Sequence, residues 1–175
     1  KDLDIEFNKD YTVLIGINGT GKSSILDALS VAMGAFTGEM SEKAYYMIKN
    51  RDARFEAEQM GSRIERNSMY PVDVKCTGFV LDDKPITWKR SLRSNKSRTT
   101  RVDAKSILTI ANDMYSRSGN SESILPLFAS YGTGRLWSQT YSKEYFSPKH
   151  WSRHHGYDDC LNSSMNHKQM LKWFQ

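Results

Sequence analysis

Gly16, Gly21, Lys22 and Ser23 stand at the spacing G-x-x-x-x-G-K-[ST], with Ile17, Asn18, Gly19 and Thr20 between the glycines. Glycine reaches backbone conformations closed to other residues, so such a loop can turn several N–H groups toward one chain of phosphates. Lys22 supplies a full positive charge for the β- and γ-phosphates. Ser23 supplies a hydroxyl for Mg²⁺, whose oxygen coordination is completed by phosphate and water. With Ser24 following, the predicted contacts of a nucleoside triphosphate are Gly16, Asn18, Gly19, Thr20, Gly21, Lys22, Ser23 and Ser24. The competing reading, a glycine-rich turn that merely joins two elements, is disfavoured because a strand, the glycines, the Lys-Ser pair and a helix all coincide. ATP is favoured over GTP, since the nearest match to a guanine-reading N-K-x-D, Asn8-Lys9-Asp10, lies upstream and out of spacing. A small-molecule kinase would need an acceptor site that the sequence does not offer.

The elements that must hold this loop lie on either side of it. Leu3, Ile5 and Phe7 alternate as in a strand, Asn8-Lys9-Asp10 turns, and Tyr11-Thr12-Val13-Leu14-Ile15 reads as a buried strand of a mixed sheet. From Lys22 onward Ile25, Leu26, Leu29, Ala32, Met33 and Phe36 recur at helical spacing, and Gly34 and Gly38 mark the expected end of that helix. Residues 41–67 are charged and predicted partly helical, up to the break at Tyr70-Pro71. Residues 72–81 alternate, Asp82-Asp83-Lys84-Pro85 turns, and residues 86–90 return, which is a hairpin signature. Residues 91–101 read as an exposed basic loop and residues 104–115 as a helix, carrying Ile107, Leu108, Ile110, Ala111 and Met114. Residues 116–123 read as a linker and residues 124–131 as a buried strand.

The expected fold class is therefore α/β, a mixed sheet with an antiparallel β arm in one domain. Its parts are a strand–loop–helix unit (1–36), a charged helical insert (37–69), a hairpin with a basic loop (70–103), and a helix, buried strand and aromatic-rich region (104–175). At 175 residues the chain suits one core rather than two. Cys76 and Cys160 form no CxxC pair and read as reduced thiols of a cytoplasmic protein. The longest apolar stretch, residues 25–36, contains Asp27 and falls short of the roughly 20 residues of a membrane span. The chain opens in mid-strand without Met and closes in a helix without a stop signal, so it is expected to be a piece of a longer protein.

Lys and Arg outnumber Asp and Glu by 25 to 20, which permits a nucleic-acid partner. Arg90, Arg93, Lys96, Arg98 and Arg101, interleaved with Ser, Thr and Asn, are the candidate DNA or RNA contacts. The alternative is a solvated hairpin arm. His150, His154, His155 and His167 with Cys160 fit no zinc spacing. Trp137, Tyr141, Tyr145, Phe146, Trp151 and Tyr157 read as packing of the irregular region. Tyr11 could approach an adenine, though a sheet position suits it better.

Two segments resemble a known group. Ile15-Gly16-Ile17-Asn18-Gly19-Thr20-Gly21-Lys22-Ser23-Ser24-Ile25-Leu26-Asp27-Ala28 resembles the first motif of the ABC-type, AAA-family ATPases of the SMC/RecF/RecN/OLD group, and Asp4-Ile5-Glu6-Phe7 resembles the group's opening strand. Leu125-Pro126-Leu127-Phe128-Ala129-Ser130-Tyr131-Gly132-Thr133-Gly134-Arg135-Leu136-Trp137 resembles the block LPxxAYYGTGRLW of the Septu-type anti-phage ATPases (PtuA), including retron-attached forms. Residues 72–90, Gly156-Tyr157-Asp158-Asp159-Cys160-Leu161 and Trp173-Phe174 fit the same pattern. The resemblance implies a P-loop NTPase of the ABC-ATPase-head type, with this chain as its N-terminal lobe only. It implies ATP and Mg²⁺ as cofactors, and ATP hydrolysis between two heads of a homo-oligomer, one giving the phosphate loop and the other a signature motif. It further implies an HNH-type nuclease (PtuB-like) as partner, and a retron reverse transcriptase with its RNA–DNA product as another.

Neither an LSGGQ-like signature nor a Walker B motif is present. Phe79-Val80-Leu81-Asp82-Asp83 mimics the latter but sits in the predicted hairpin turn, so both are expected beyond Gln175. On the same resemblance Gln139 is the nearest candidate for the group's glutamine loop. Arg135 would reach a γ-phosphate or a neighbouring subunit, or else pin its own loop by a salt bridge. A DNA-repair or chromosome-structure ATPase of the same group is the alternative, and a nucleotide-sensing scaffold with little turnover is the alternative of another class.

Overall fold

The structure, a computed structural model, describes residues 2–60, 63–80, 84–120, 122–132 and 152–162. Its axis is helix α1, Lys22–Met40, whose second half is almost wholly buried. The helix runs through Gly34 and Gly38, which were expected to end it, and stops only where Ser41 turns extended. The two glycines serve packing instead. A Cβ on Gly34 would lie 2.6 Å from the carbonyl oxygen of Tyr46, and one on Gly38 would strike the Tyr45 ring. Their bare faces admit the chain that crosses α1 at residues 45–46. The close approach offsets the roughly 1 kcal/mol that each glycine costs inside a helix.

After two single 3-10 turns, Glu42–Ala44 and Asn50–Asp52, strands β1 (Phe55–Met60) and β2 (Arg63–Ser68) form an antiparallel ribbon. A helical insert was expected here. Glu, Ala, Gln and Met favour helix locally, but the segment has no apolar stripe with which a helix could dock, and most helical stability comes from such docking. The ladder from Phe55↔Ser68 to Met60↔Arg63 satisfies the backbone without it.

Strands β3 (Val72–Phe79) and β4 (Pro85–Leu92) form the predicted hairpin, in register from Val72↔Leu92 to Phe79↔Pro85. Alternation puts Trp88, Arg90 and Leu92 of β4 toward α1. Trp88 Nε1 donates to the Ala32 carbonyl at 3.0 Å, tying the hairpin to the helix. Helix α2, Lys105–Arg117, buries Ile107, Ala111 and Met114 against the same core as Phe36, Met40, Trp88, Tyr157 and Leu161.

Three predicted strands differ. Residues 3–7, 11–15 and 124–131 have no ladder partner among the described residues, whose sheets are the two antiparallel pairs. Ile15 is 91% and Leu127 90% exposed, the opposite of the predicted burial. An apolar run of this kind is stable as a strand only with neighbours on both edges and cover on both faces. No described residue supplies them.

Candidate nucleotide site

The loop between residue 15 and α1 is shaped by its glycines. Gly19 and Gly21 hold φ at 84° and 93°, in the left-handed region that side chains disfavour. A Cβ on Gly16 would lie 2.9 Å from Thr20 Oγ1, so the loop closes on itself only with glycine there. Thr20 Oγ1 donates to the Ile17 carbonyl at 2.9 Å, which fixes the turn from within. Gly21 caps α1 with no side-chain hydrogen bond, and the first helical bond is Ile25 N–H to Gly21 O at 3.0 Å. The N–H groups of the first turn therefore lack intrahelical acceptors and, with the positive end of the helix dipole, face the loop.

The Lys22 ammonium lies across this cradle. It donates to the carbonyls of Gly16 and Ile17, both at 2.7 Å, and these two bonds leave one of its three donors for a ligand. Ser23 and Ser24 are exposed on the first turn, and neither hydroxyl bonds another described residue. Convergent N–H groups, one ammonium and a free hydroxyl suit a polyphosphate with a hard divalent cation, so the residues fit ATP with Mg²⁺. Sequence reasoning missed the anchoring of Lys22 by main-chain carbonyls, which no residue type announces.

An apolar cavity of about 520 Å³ lies under residues 7–12, bounded by Phe7, Tyr11, Met33, Phe36, Trp88 and Phe128 among others. Tyr11 is 77% exposed rather than set in a sheet.

The other predicted residues are scattered. Arg90 is fully buried and is removed from the candidate nucleic-acid contacts. Its guanidinium donates to the carbonyls of Val31 at 2.9 Å and Tyr46 at 2.6 Å and lies 4.9 Å from the centre of the Tyr45 ring. The reason is register. Position 90 falls on the face of β4 that packs against α1, and burial draws its basicity below the ordinary arginine range. Arg101 is exposed but paired with Glu39 and lies 5.6 Å from the centre of the Tyr45 ring, and Arg93, Lys96 and Arg98 are exposed. His154 bonds Ser118 Oγ at 2.6 Å and stacks on Tyr115 at 4.3 Å, as packing. Burial lowers its pKa, helped by His155 and Arg153. Both cysteines are free thiols; burial raises Cys76 and pushes Cys160 up to about 11. Arg135, Gln139, Asp82, Asp83, His150, His167, Trp173, Phe174 and the aromatic residues from Trp137 to Trp151 lie outside the described residues. No helix among the described residues is long and apolar enough to cross a membrane.

Compared with known proteins, the chain matches the AAA domain family over residues 1–172. The chain belongs to the AAA domain family. This AAA domain is 30% identical over 99 residues to the structural maintenance of chromosomes protein 1 of Arabidopsis thaliana, covering 54% of the chain and 7% of that protein. It is 26% identical over 99 residues to the chromosome condensation protein dpy-27 of Caenorhabditis elegans, covering 57% and 7%. It is 30% identical over 114 residues to the DNA repair protein RecN of Bacillus subtilis, covering 64% and 18%. The match spans a small part of each of these relatives.

Proposed function

We propose that this AAA domain is the nucleotide-binding lobe of an ABC-type ATPase head of the SMC/RecF group. The observation that carries the reading is the loop from Gly16 to Ser24, where glycine geometry, an uncapped helix start and the Lys22 ammonium come together. On this reading Gly16, Asn18, Gly19, Thr20, Gly21 and Ser24 cradle the phosphates with Lys22, and Ser23 holds Mg²⁺. The cation, when bound, neutralises phosphate charge. This chain's part is to fix the triphosphate and offer it to a second head of a homo-oligomer, which supplies the signature motif.

Two further observations support an incomplete head. Tyr11, Val13, Ile15, Ile124 and Leu127 of the apolar runs at residues 11–15 and 124–131 are exposed, and an apolar cavity lies next to these runs, as expected of a sheet finished by strands from elsewhere in the protein. Arg135 and Gln139 belong to this proposal as residues near the γ-phosphate. The block from Leu125 to Trp137 supports a finer reading, in which the ATP cycle controls an HNH-type nuclease of the PtuB kind in anti-phage defence, with or without a retron reverse transcriptase and its RNA–DNA product. The named relatives favour a second reading, an ATPase of chromosome structure or DNA repair.

Steady-state phosphate release by the full-length protein, with sedimentation in ATP, tests the proposal. The expected result is release that rises more than linearly with protein concentration and an ATP-dependent dimer. Release that is absent while ATP still binds would leave a nucleotide-sensing scaffold. Co-purification with a nuclease separates the anti-phage reading from the DNA-repair one.

A further inference from the structure

Residues 152–162, built around the 3-10 segment Arg153–Tyr157, are fastened to several parts of the body. The Arg153 guanidinium donates to the carbonyls of Asn120 at 3.0 Å and Ser123 at 2.5 Å, with a longer bond to that of Ser118 at 3.5 Å. Asp158 accepts from the Ser41 hydroxyl and pairs with Lys43 at 3.6 Å, just past the end of α1. The Tyr157 hydroxyl donates to Pro126 O at 2.5 Å, and Ser130 N–H donates to Cys160 O at 2.8 Å. Phe128, between those two bonds, packs on Tyr157 and on Phe36, with ring centres 6.4 and 5.6 Å apart. Residues 124–131 have no ladder partner among the described residues, so their main chain is tied to the body through residues 152–162.

One of these ties depends on a single proton. The buried Ser118 hydroxyl lies 2.6 Å from both His154 Nε2 and the Tyr115 carbonyl, and it has one hydrogen to give. Given to Tyr115, it leaves Nε2 to carry the imidazole hydrogen; given to Nε2, it leaves Nδ1 to carry it. In the imidazolium both nitrogens carry hydrogen, and Nδ1 is buried with no partner among the described residues. Protonation therefore strands a charged N–H away from water and from any acceptor. The surroundings offer no compensation. Tyr115 of α2 stacks on the ring at 4.3 Å, and the chain neighbours Arg153 and His155 add like charge. Of the carboxylates on these elements, Asp113 is tied to Arg117 at 2.9 Å and Asp158 to Ser41 and Lys43. None of them, Asp159 included, pairs with His154 among the described residues.

We infer that the His154–Ser118 contact is an acid-released catch: protonation of His154 frees residues 152–162 from the end of α2, and residues 124–131 loosen from the core with them. Burial, then His155 and Arg153, hold His154 below the ordinary histidine range. The catch is thus complete above about pH 6.5, the value of a free histidine, and weakens as pH falls toward the folded value. Pro126 and Phe128 bound the apolar cavity, so release also opens its wall.

The test is hydrogen exchange of the full-length protein read by mass spectrometry, with each rate corrected for the intrinsic pH dependence of exchange. Between about pH 7.5 and about pH 5.5, local opening of residues 152–162 and 124–131 should rise together by about tenfold, as uptake of one proton by the open form alone predicts. Residues 30–40, the buried half of α1, should not respond. His154→Gln, which cannot charge, should hold the opening constant across the range. His155→Gln should keep the wild-type response, because His155 accepts from Ser152 N–H at 2.9 Å within its own turn instead. Should His154→Gln not fold, the His154 ring signals of wild type still decide, since they should titrate below free imidazole. Constant opening in wild type would overturn the catch, as would a response that survives in His154→Gln or is lost in His155→Gln. So would acid opening of residues 152–162 that leaves 124–131 protected, or a His154 ring that titrates at or above the free value.

Discussion

At the Lys22 end of α1 the side chains of Ser23, Ser24, Leu26 and Asp27 face solvent, whereas from Ser30 to Met40 most residues are buried. The first half is uncapped and preceded by glycines in the left-handed region, with its own lysine folded back on the loop and Tyr46 reaching Asp27 at 3.4 Å. The second half is crossed by residues 45–46, bonded by Trp88 and Arg90, and packed on α2. Glycine marks both halves but for different physical reasons. At Gly19 and Gly21 it supplies a backbone angle; at Gly34 it supplies room. One helix thus separates the end proposed to meet nucleotide from the part that holds the fold, and changes at one end should leave the other alone.

The largest break of that separation is expected at Gly34. In Gly34→Ala the new Cβ meets a main-chain oxygen at 2.6 Å, which cannot rotate away, so the crossing chain must shift. Overpacking of this kind costs about 1 to 3 kcal/mol, and thermal unfolding should show it as a lowered melting temperature while ATP affinity of the folded protein stays the same. Arg90→Met should cost less, about 1 kcal/mol. It removes two charge-assisted bonds, but it also relieves a buried cation whose Nε and Nη2 lack partners among the described residues. Melting curves of Arg90→Met against Trp88→Phe would rank the two ties between β4 and α1.

The smallest effect is one of pH. Asp73 on β3 is held below the ordinary aspartate range by the Lys89 ammonium and the Ser91 hydroxyl, at 2.8 and 2.6 Å. Its folded pKa is therefore lower than its unfolded one, so its contribution is complete above the unfolded value and is lost as pH falls through the folded value. The difference in melting temperature between wild type and Asp73→Asn should be small near neutral pH and should vanish in acid. A difference that grows toward acid would contradict the assignment.

How far these features could be read without coordinates depended on whether the signal was local. The glycine-shaped loop was legible residue by residue, because the signal lies in eight consecutive positions from Gly16 to Ser23, and its use as a nucleotide site is the proposal made from it. The β3–β4 hairpin and α2 were legible too, since alternation and helical spacing are carried within each segment. Gly34 and Gly38 misled because a terminating glycine and a packing glycine look alike until the crossing chain is known. Arg90 misled because its face was fixed by pairing with Val74 on β3 and by the helix beneath. The ribbon β1–β2 was hidden behind helix-favouring residues. At Gly34 and Arg90 the deciding contact was long-range.

The account rests on the claim that the Lys22 end of α1 binds nucleotide and contributes little to the fold. Calorimetric titration of ATP with Mg²⁺ into full-length wild type and Lys22→Ala, with melting temperatures of both, tests it directly. The predicted result is an affinity reduced at least tenfold, about 1.4 kcal/mol, at an unchanged melting temperature. Wild-type affinity in Lys22→Ala, or a loss of binding that tracks a loss of folding, would contradict it.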